Sequence, residues 1–127
     1  QNSKFTFFCD DFIKMNLEKN FDLVYTHAVI DHVYDIDEFI SKIVDQTNRY
    51  AFINSYRGYF PNLESHEMQW DGYEACYFNN ISIKQVKKLL SKKGLSESEY
   101  KIYSQESGQK DENVNLQTII EIKKNNY

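Results

Sequence analysis

Glycine, proline and cysteine are scarce in this chain of 127 residues, which has four Gly, one Pro and two Cys. None of the glycines falls in a G-x-G-x-x-G or P-loop arrangement, so no stretch is a ready-made phosphate cradle. A single proline excludes Pro-rich linkers and polyproline recognition segments. Cys9 and Cys76 are far apart and outside any C-x-x-C pair, which argues against a disulfide framework and for a reduced, cytoplasmic protein. No secretory leader opens the sequence, and no apolar run approaches the length of a membrane span, so no membrane partner is expected. Fifteen Lys and Arg stand against nineteen Asp and Glu, a formal net charge of -4. With no basic patch interleaved with aromatics, nucleic acid is disfavoured as a partner.

Aromatics are what the chain has in abundance, with ten Tyr, nine Phe and one Trp. The length suits one domain with one core. The stretch around which the rest is organised is "FDLVYTHAVIDHV", residues 21–33. Phe21, Leu23, Val24 and Tyr25 follow a polar turn and read as a strand. Thr26 and His27 break the apolar run at the strand's carboxyl end, the end where an open α/β sheet binds ligands. Residues 35–48 read as a helix, because Ile36, Phe39, Ile40, Ile43 and Val44 recur at three and four residues. Asp35 with Glu38 forms a capping-box pattern. Residues 49–56 read as the next strand, with Ala51, Phe52 and Ile53 as its buried run. Residues 57–80 show no clear periodicity and read as one long irregular segment, which in a compact domain is usually functional or mobile. Residues 82–93 read as a second helix with a Ser82/Gln85 capping-box pattern, the stripe Ile83, Val86, Leu89 and Leu90, and Gly94 as its stop. Residues 100–105 and 116–122 alternate as two strands around a polar connection. Residues 123–127 read as a frayed tail.

"FDLVYTHAVIDHV" resembles the fourth strand and following loop of class I S-adenosylmethionine-dependent methyltransferases, whose usual form is an F-D-L-V strand, a polar turn and an L-E-H-like segment. "FTFFCDDF", residues 5–12, resembles the third strand of that family and its terminal acidic residue, so residues 4–9 are expected to be a strand. The resemblance covers most of the chain, from about residue 4 to the end. It implies an α/β, Rossmann-like fold: a mostly parallel sheet with a C-terminal antiparallel hairpin, present here as a single partial domain from the third strand onward. The first two strands and the glycine-rich cofactor turn would be missing.

The resemblance implies S-adenosylmethionine as cofactor and distributes roles. Asp11, or Asp10 with a one-residue shift, would accept a hydrogen bond from the adenine amino group, and Phe12 would cover the ring. Thr26, His27 and Ala28 would meet the methionine portion, and His32, the L-E-H histidine, would line the pocket. The connection after the fifth strand would form the wall for a small-molecule acceptor, with Tyr56, Arg57, Tyr59, His66, Trp70 and Tyr73 as candidates. Arg57 could hold a carboxylate or phosphate through its planar fork. A base, where the acceptor needs one, would be His66, His27 or a tyrosine. His27, Asp31 and His32 are too loosely spaced for a metal site. The ordinary readings stand beside these: Asp10 and Asp11 capping a turn, Phe12 in the core, and Trp70, Tyr73 and Tyr77 as a satellite core.

Two further expectations follow. In the complete fold the first strand lies beside the fourth. Without it, the strand at 21–25 would expose an apolar edge, which would be covered by a second copy, by an exchanged segment, or by residues 4–9. The alternative function is a non-catalytic, methyltransferase-like remnant serving as a structural or protein-interaction module.

Overall fold

The computed structural model describes residues 4–106 and 116–125. Its seven strands are β1 (Phe21–His27), β2 (Thr47–Ser55), β3 (Tyr59–Phe60), β4 (Glu67–Asp71), β5 (Cys76–Ser82), β6 (Tyr100–Glu106) and β7 (Leu116–Lys123). Its two α-helices are α1 (Ile36–Gln46) and α2 (Ile83–Lys92), and a short 3₁₀ turn (Glu97–Glu99) precedes β6. The main sheet has the order β1-β2-β7-β6, and a smaller one the order β3-β5-β4.

Helix α1 begins where its cap predicts. The Asp35 carboxylate accepts the Glu38 amide at 3.0 Å, satisfying one of the orphan donors of the first turn. The five apolar positions of its stripe are all buried. Helix α2 ends in a Schellman motif: the Leu95 amide donates to the Leu90 carbonyl and the Gly94 amide to that of Ser91, with Gly94 at φ +89. Only a residue without Cβ takes that backbone at no steric cost.

Both helices pack on one face of the main sheet. Ala51, Ile53, Ile120 and Ile122 share that face by alternation, and they form one cluster with Phe39, Ile40, Ile43, Val86 and Leu90. Among the described residues no helix covers the opposite face, where Leu23 and Tyr25 are 59% and 60% exposed.

Three expectations need correction. Residues 4–9 form no strand and are exposed, so their apolar side chains do not cover the free edge of β1. The main sheet is mixed: β1 and β2 are parallel, and β7 runs antiparallel to both β2 and β6, so β1, β2 and β6 point the same way and β6–β7 is the expected antiparallel hairpin. The irregular segment at 57–80 contains β3, β4 and β5. Its hairpin turns through Gly72–Ala75, where the Asp71 carboxylate accepts the amides of Tyr73 and Glu74, an Asx turn. Finally, the tail is tied down as far as it is described. Lys124 Nζ donates to the Val44 carbonyl, and the Asn125 amide to Glu99. The β6–β7 connection at 107–115 lies outside the described residues.

Phe39 is 1% exposed and meets Phe12 edge-on at 5.7 Å. Phe39→Ala should cost about 3–5 kcal/mol, read as a lower urea midpoint with an unchanged slope. A loss under about 1 kcal/mol would show that this core is not packed as described.

Candidate functional site

Several candidate polar groups gather at the carboxyl ends of β1 and β2. Beyond His27 the chain turns through Ala28, at φ +58, and the Ala28 amide donates to the Asn54 carbonyl at 3.0 Å. Thr26 Oγ1 and Asn54 Oδ1 are buried with no hydrogen-bond partner. His27 is exposed on the uncovered face.

Asp31 follows and is fully buried. One of its oxygens accepts the Ser55 hydroxyl and the Arg57 amide, while Oδ2 has no partner. Its backbone carbonyl accepts the Asn79 amide at 2.9 Å, and the Asn79 side chain donates to the carbonyls of Ile30 and Val33. These bonds dock β5 of the small sheet onto the loop after β1. Sequence reasoning weighed Asp31 only as a metal ligand and missed Asn54 and Asn79. The L-E-H-like acidic position was the one available signal.

His32 stands between the two sheets. Its Nδ1 lies 2.7 Å from the Tyr77 carbonyl oxygen, and Nε2 lies 2.9 Å from the Tyr56 hydroxyl. A carbonyl only accepts, so Nδ1 carries the proton, and Nε2 keeps the lone pair that receives the Tyr56 O–H. Phe78 packs edge-on against the ring at 5.0 Å. Burial, and then the nearby Asp31, push the Tyr56 phenol above its ordinary value.

Arg57 is held over Phe78, 5.2 Å from the ring centroid. Its Nε donates to the Asn79 carbonyl and Nη2 to the Asn80 side chain. Tyr59, expected on the acceptor wall, is in the core instead. It is 8% exposed, its hydroxyl donates to the Ile53 carbonyl, and burial raises its pKa well above the ordinary value. Trp70 is 56% exposed and stacks edge-on against Tyr77. Tyr73 sits at the hairpin tip, 95% exposed.

On the other side of the β1 loop, Asp10 accepts the Asp11 amide. The Asp11 carboxylate accepts the Tyr34 hydroxyl at 2.7 Å and the Ile13 amide at 2.9 Å. The Tyr34 bond is the main cause of the lowered Asp11 pKa, and it pushes the Tyr34 phenol up to about 12. Phe12 is half-buried against the core, with Lys42 Nζ over its ring at 5.3 Å.

His66 lies apart from these groups, in a clamp between the helices. Nδ1 accepts the Ser82 amide at 2.9 Å, Nε2 donates to Asp37 at 3.0 Å, and its own amide donates to the Gln85 side chain. Gln85 in turn donates to Asp37. The Ser82/Gln85 box is therefore half formed: Ser82 Oγ accepts the Gln85 amide, but His66 takes the reciprocal bond. Both ring nitrogens are used within the fold.

Among the described residues no group of three His, Cys, Asp or Glu could hold a metal ion. No helix there is long and apolar enough to cross a membrane. A cleft of about 710 Å³ between residues 4–8 and 16–21 holds none of the candidate residues.

The fold is that of class I S-adenosylmethionine-dependent methyltransferases. One similar structure is 1,6-didemethyltoxoflavin-N1-methyltransferase of Burkholderia thailandensis, with bound 1,6-didemethyltoxoflavin and S-adenosylhomocysteine (TM-score 0.56, 10% identity, 90% of this chain and 48% of that one). A second is magnesium protoporphyrin IX methyltransferase of Synechocystis PCC 6803 with bound S-adenosylhomocysteine (TM-score 0.56, 14% identity, 94% and 51%). A third is an S-adenosylmethionine-dependent methyltransferase of Methanosarcina mazei (TM-score 0.55, 14% identity, 91% and 65%). The chain thus spans about half to two thirds of the length of these proteins. No family model and no curated protein sequence matches it.

The clamp predicts a pH dependence. Burial lowers the His66 pKa from 6.5, partly opposed by Asp37. The unfolded chain then binds the proton more readily, so the His66 contribution to stability is full above pH 6.5 and is lost as pH falls through the folded value. Urea unfolding across this range should show stability dropping on acidification, with a shallower drop in His66→Asn. An identical slope in the variant would show that the ring does not titrate with folding.

Proposed function

We propose that this chain is the acceptor-side portion of an S-adenosylmethionine-dependent methyltransferase acting on a small polar molecule, within a longer protein. The observation that carries the reading is the set of unpartnered polar groups at the carboxyl ends of β1 and β2, in a fold shared with proteins crystallised with S-adenosylhomocysteine.

The residues present fit part of the cofactor. Asp11 reaches solvent and keeps lone pairs beyond those given to Tyr34 and Ile13, so it suits an exocyclic amine. Thr26 Oγ1 and Asn54 Oδ1 are each buried without a partner, on opposite faces of the sheet. Asn54, on the face of His27, suits an ammonium donor, and His27 and Ala28 border it. His32 lines the acceptor side rather than this end. Phe12 fits less well as an adenine platform, because its ring packs against Phe39 and Lys42.

When bound, S-adenosylmethionine supplies an electrophilic methyl carbon. The chain's contribution is to hold an acceptor in line with it, and positioning provides most of the catalysis. Where the acceptor carries a proton, Tyr56 and His32 are the groups arranged to move it. The Tyr56 oxygen takes the acceptor's proton as its own passes to His32 Nε2, across the 2.9 Å bond already in place. His66 is committed to its clamp, and His27 remains the exposed alternative.

Calorimetric titration of S-adenosylhomocysteine into this chain and into an upstream-extended form tests the reading. Binding by the extended form is expected, weakened roughly ten- to a hundredfold by Asp11→Ala, the range for a hydrogen bond to a charged group. Binding by neither form would favour the non-catalytic alternative.

The free edge of β1 should also take a further strand, and for the chain alone that strand would come from a second copy. Sedimentation velocity should show a concentration-dependent dimer in which the outward β1 amides gain protection from hydrogen exchange. A monomer at all concentrations with those amides unprotected would refute the pairing.

A further inference from the structure

We infer that the groove between Arg57 and the β4–β5 hairpin binds a neutral, planar heterocycle whose edge carries a carbonyl beside an N–H. Only the description of this ligand as the methyl acceptor rests on the methyltransferase reading. The groove is an open depression of about 450 Å³ lined by Arg57, Gln69, Trp70, Asp71, Gly72 and Phe78. That volume is at the small end for a small-molecule site.

Its charges argue against an ion as ligand. Arg57 is fixed by two hydrogen bonds, to the Asn79 carbonyl and the Asn80 side chain. Among the described residues no carboxylate pairs with it. Asp71 faces the same space, with Oδ1 fixed by two amides of the hairpin turn. The two groups form no ion pair with each other. An anionic ligand would gain Arg57 but meet Asp71, and a cation would meet the reverse. A neutral ligand that accepts from Arg57 and donates to Asp71 satisfies both, since guanidinium only donates and carboxylate only accepts. The Gln69 amide, donor and acceptor in one group, matches the same mixed edge.

The walls set the shape. Phe78 presents a ring held edge-on by His32 and capped by Arg57. The exposed indole of Trp70 packs on Tyr77 at 5.2 Å, on the other face of the β4–β5 hairpin. The wall made by Phe78 and the planar guanidinium of Arg57 favours a flat ligand.

Trp70 is the only tryptophan in the chain, so its indole N–H, which lies next to Gly72 of the lining, gives one resolved NMR signal at the rim of the groove. The test follows that signal and the Arg57 Nε–H during titration at neutral pH with lumazine, a neutral bicycle with a lactam edge, and with 2-naphthoate, an anion of similar size. Saturable shifts from lumazine are expected, roughly tenfold tighter than from the naphthoate. Arg57→Gln and Asp71→Asn should each weaken lumazine several-fold, as the loss of one hydrogen bond does. Asp71→Asn keeps a carbonyl for the turn amides, so the hairpin is retained. Equal or tighter binding of the naphthoate, binding unchanged in both variants, or no saturable shift would overturn the inference. Lumazine binding in a protein whose extended form fails to bind S-adenosylhomocysteine would uphold the groove and sink the methyltransferase reading alone.

Discussion

A buried carboxylate, Asp31, holds the two sheets of this protein in their mutual position. Burying a charge in an apolar interior is costly unless hydrogen bonds replace the lost water. Here the Ser55 hydroxyl and the Arg57 amide supply two such bonds, while the Asp31 carbonyl accepts the Asn79 amide. The carboxylate therefore links the end of β2 to the loop after β1, and the same residue's backbone anchors β5. The Asn79 side chain, itself fully buried, closes the joint by donating to the carbonyls of Ile30 and Val33. Apolar side chains could fill the same space, but they would not fix the angle or register at which β5 meets the main sheet.

That fixed register is what gathers the chemistry. Because β5 is docked on the β1 loop, the Tyr77 carbonyl meets His32 Nδ1 and selects its tautomer, which leaves Nε2 for Tyr56. The same docking places the Asn79 carbonyl and the Asn80 side chain where they hold Arg57 over Phe78. These groups come from three separate stretches of the chain: His32, the pair Tyr56 and Arg57, and the β5 run 77–80. Their convergence follows from one buried polar joint.

Much of the main framework was legible in the sequence. Both helices were marked by caps and by stripes of period 3.6, signals that local physics enforces within a few residues. The final hairpin was marked by the alternation of Leu116, Thr118, Ile120 and Ile122. The small sheet was not legible, for a physical reason. Four of the five β4 residues are exposed, so it has no buried face to write an alternating pattern, and two of the three buried β5 positions are the polar Asn79 and Ser82. A strand docked by hydrogen bonds leaves no hydrophobic period. Asp71-Gly72 was the remaining hint of a turn. Residues 4–9 failed in the opposite way: their aromatic run satisfies a strand pattern, but a strand forms only where a neighbour supplies its ladder. In the candidate site, Tyr56, Arg57 and His32 were legible by type, but their hydrogen bonds depend on β5 and could not be read without it. Tyr59 carries the same side chain as Tyr56 three residues on, and burial alone separates the two.

The exposure of β1 bears on the proposed reading. A strand with a parallel neighbour is usually covered on both faces, yet Leu23 and Tyr25 are more than half exposed on the face without helices. The apolar and aromatic content of this strand is excessive for an edge, where charges, proline or bulges normally block pairing. Asp22, its one charged residue, is held by a long contact to Asn48 at the opposite end from the site. The unpartnered Thr26 Oγ1 lies at the carboxyl end of this same strand, and Asn54 Oδ1 lies beside it on β2. Apolar surface and unsatisfied polar atoms thus coincide along one boundary. A strand placed beside β1 would pair its free edge, a layer on the open face would bury Leu23 and Tyr25, and a ligand at the carboxyl end would satisfy Asn54. This is the physical content of reading the chain as one side of a cofactor cleft, with the acceptor groove on the far side of Asp31.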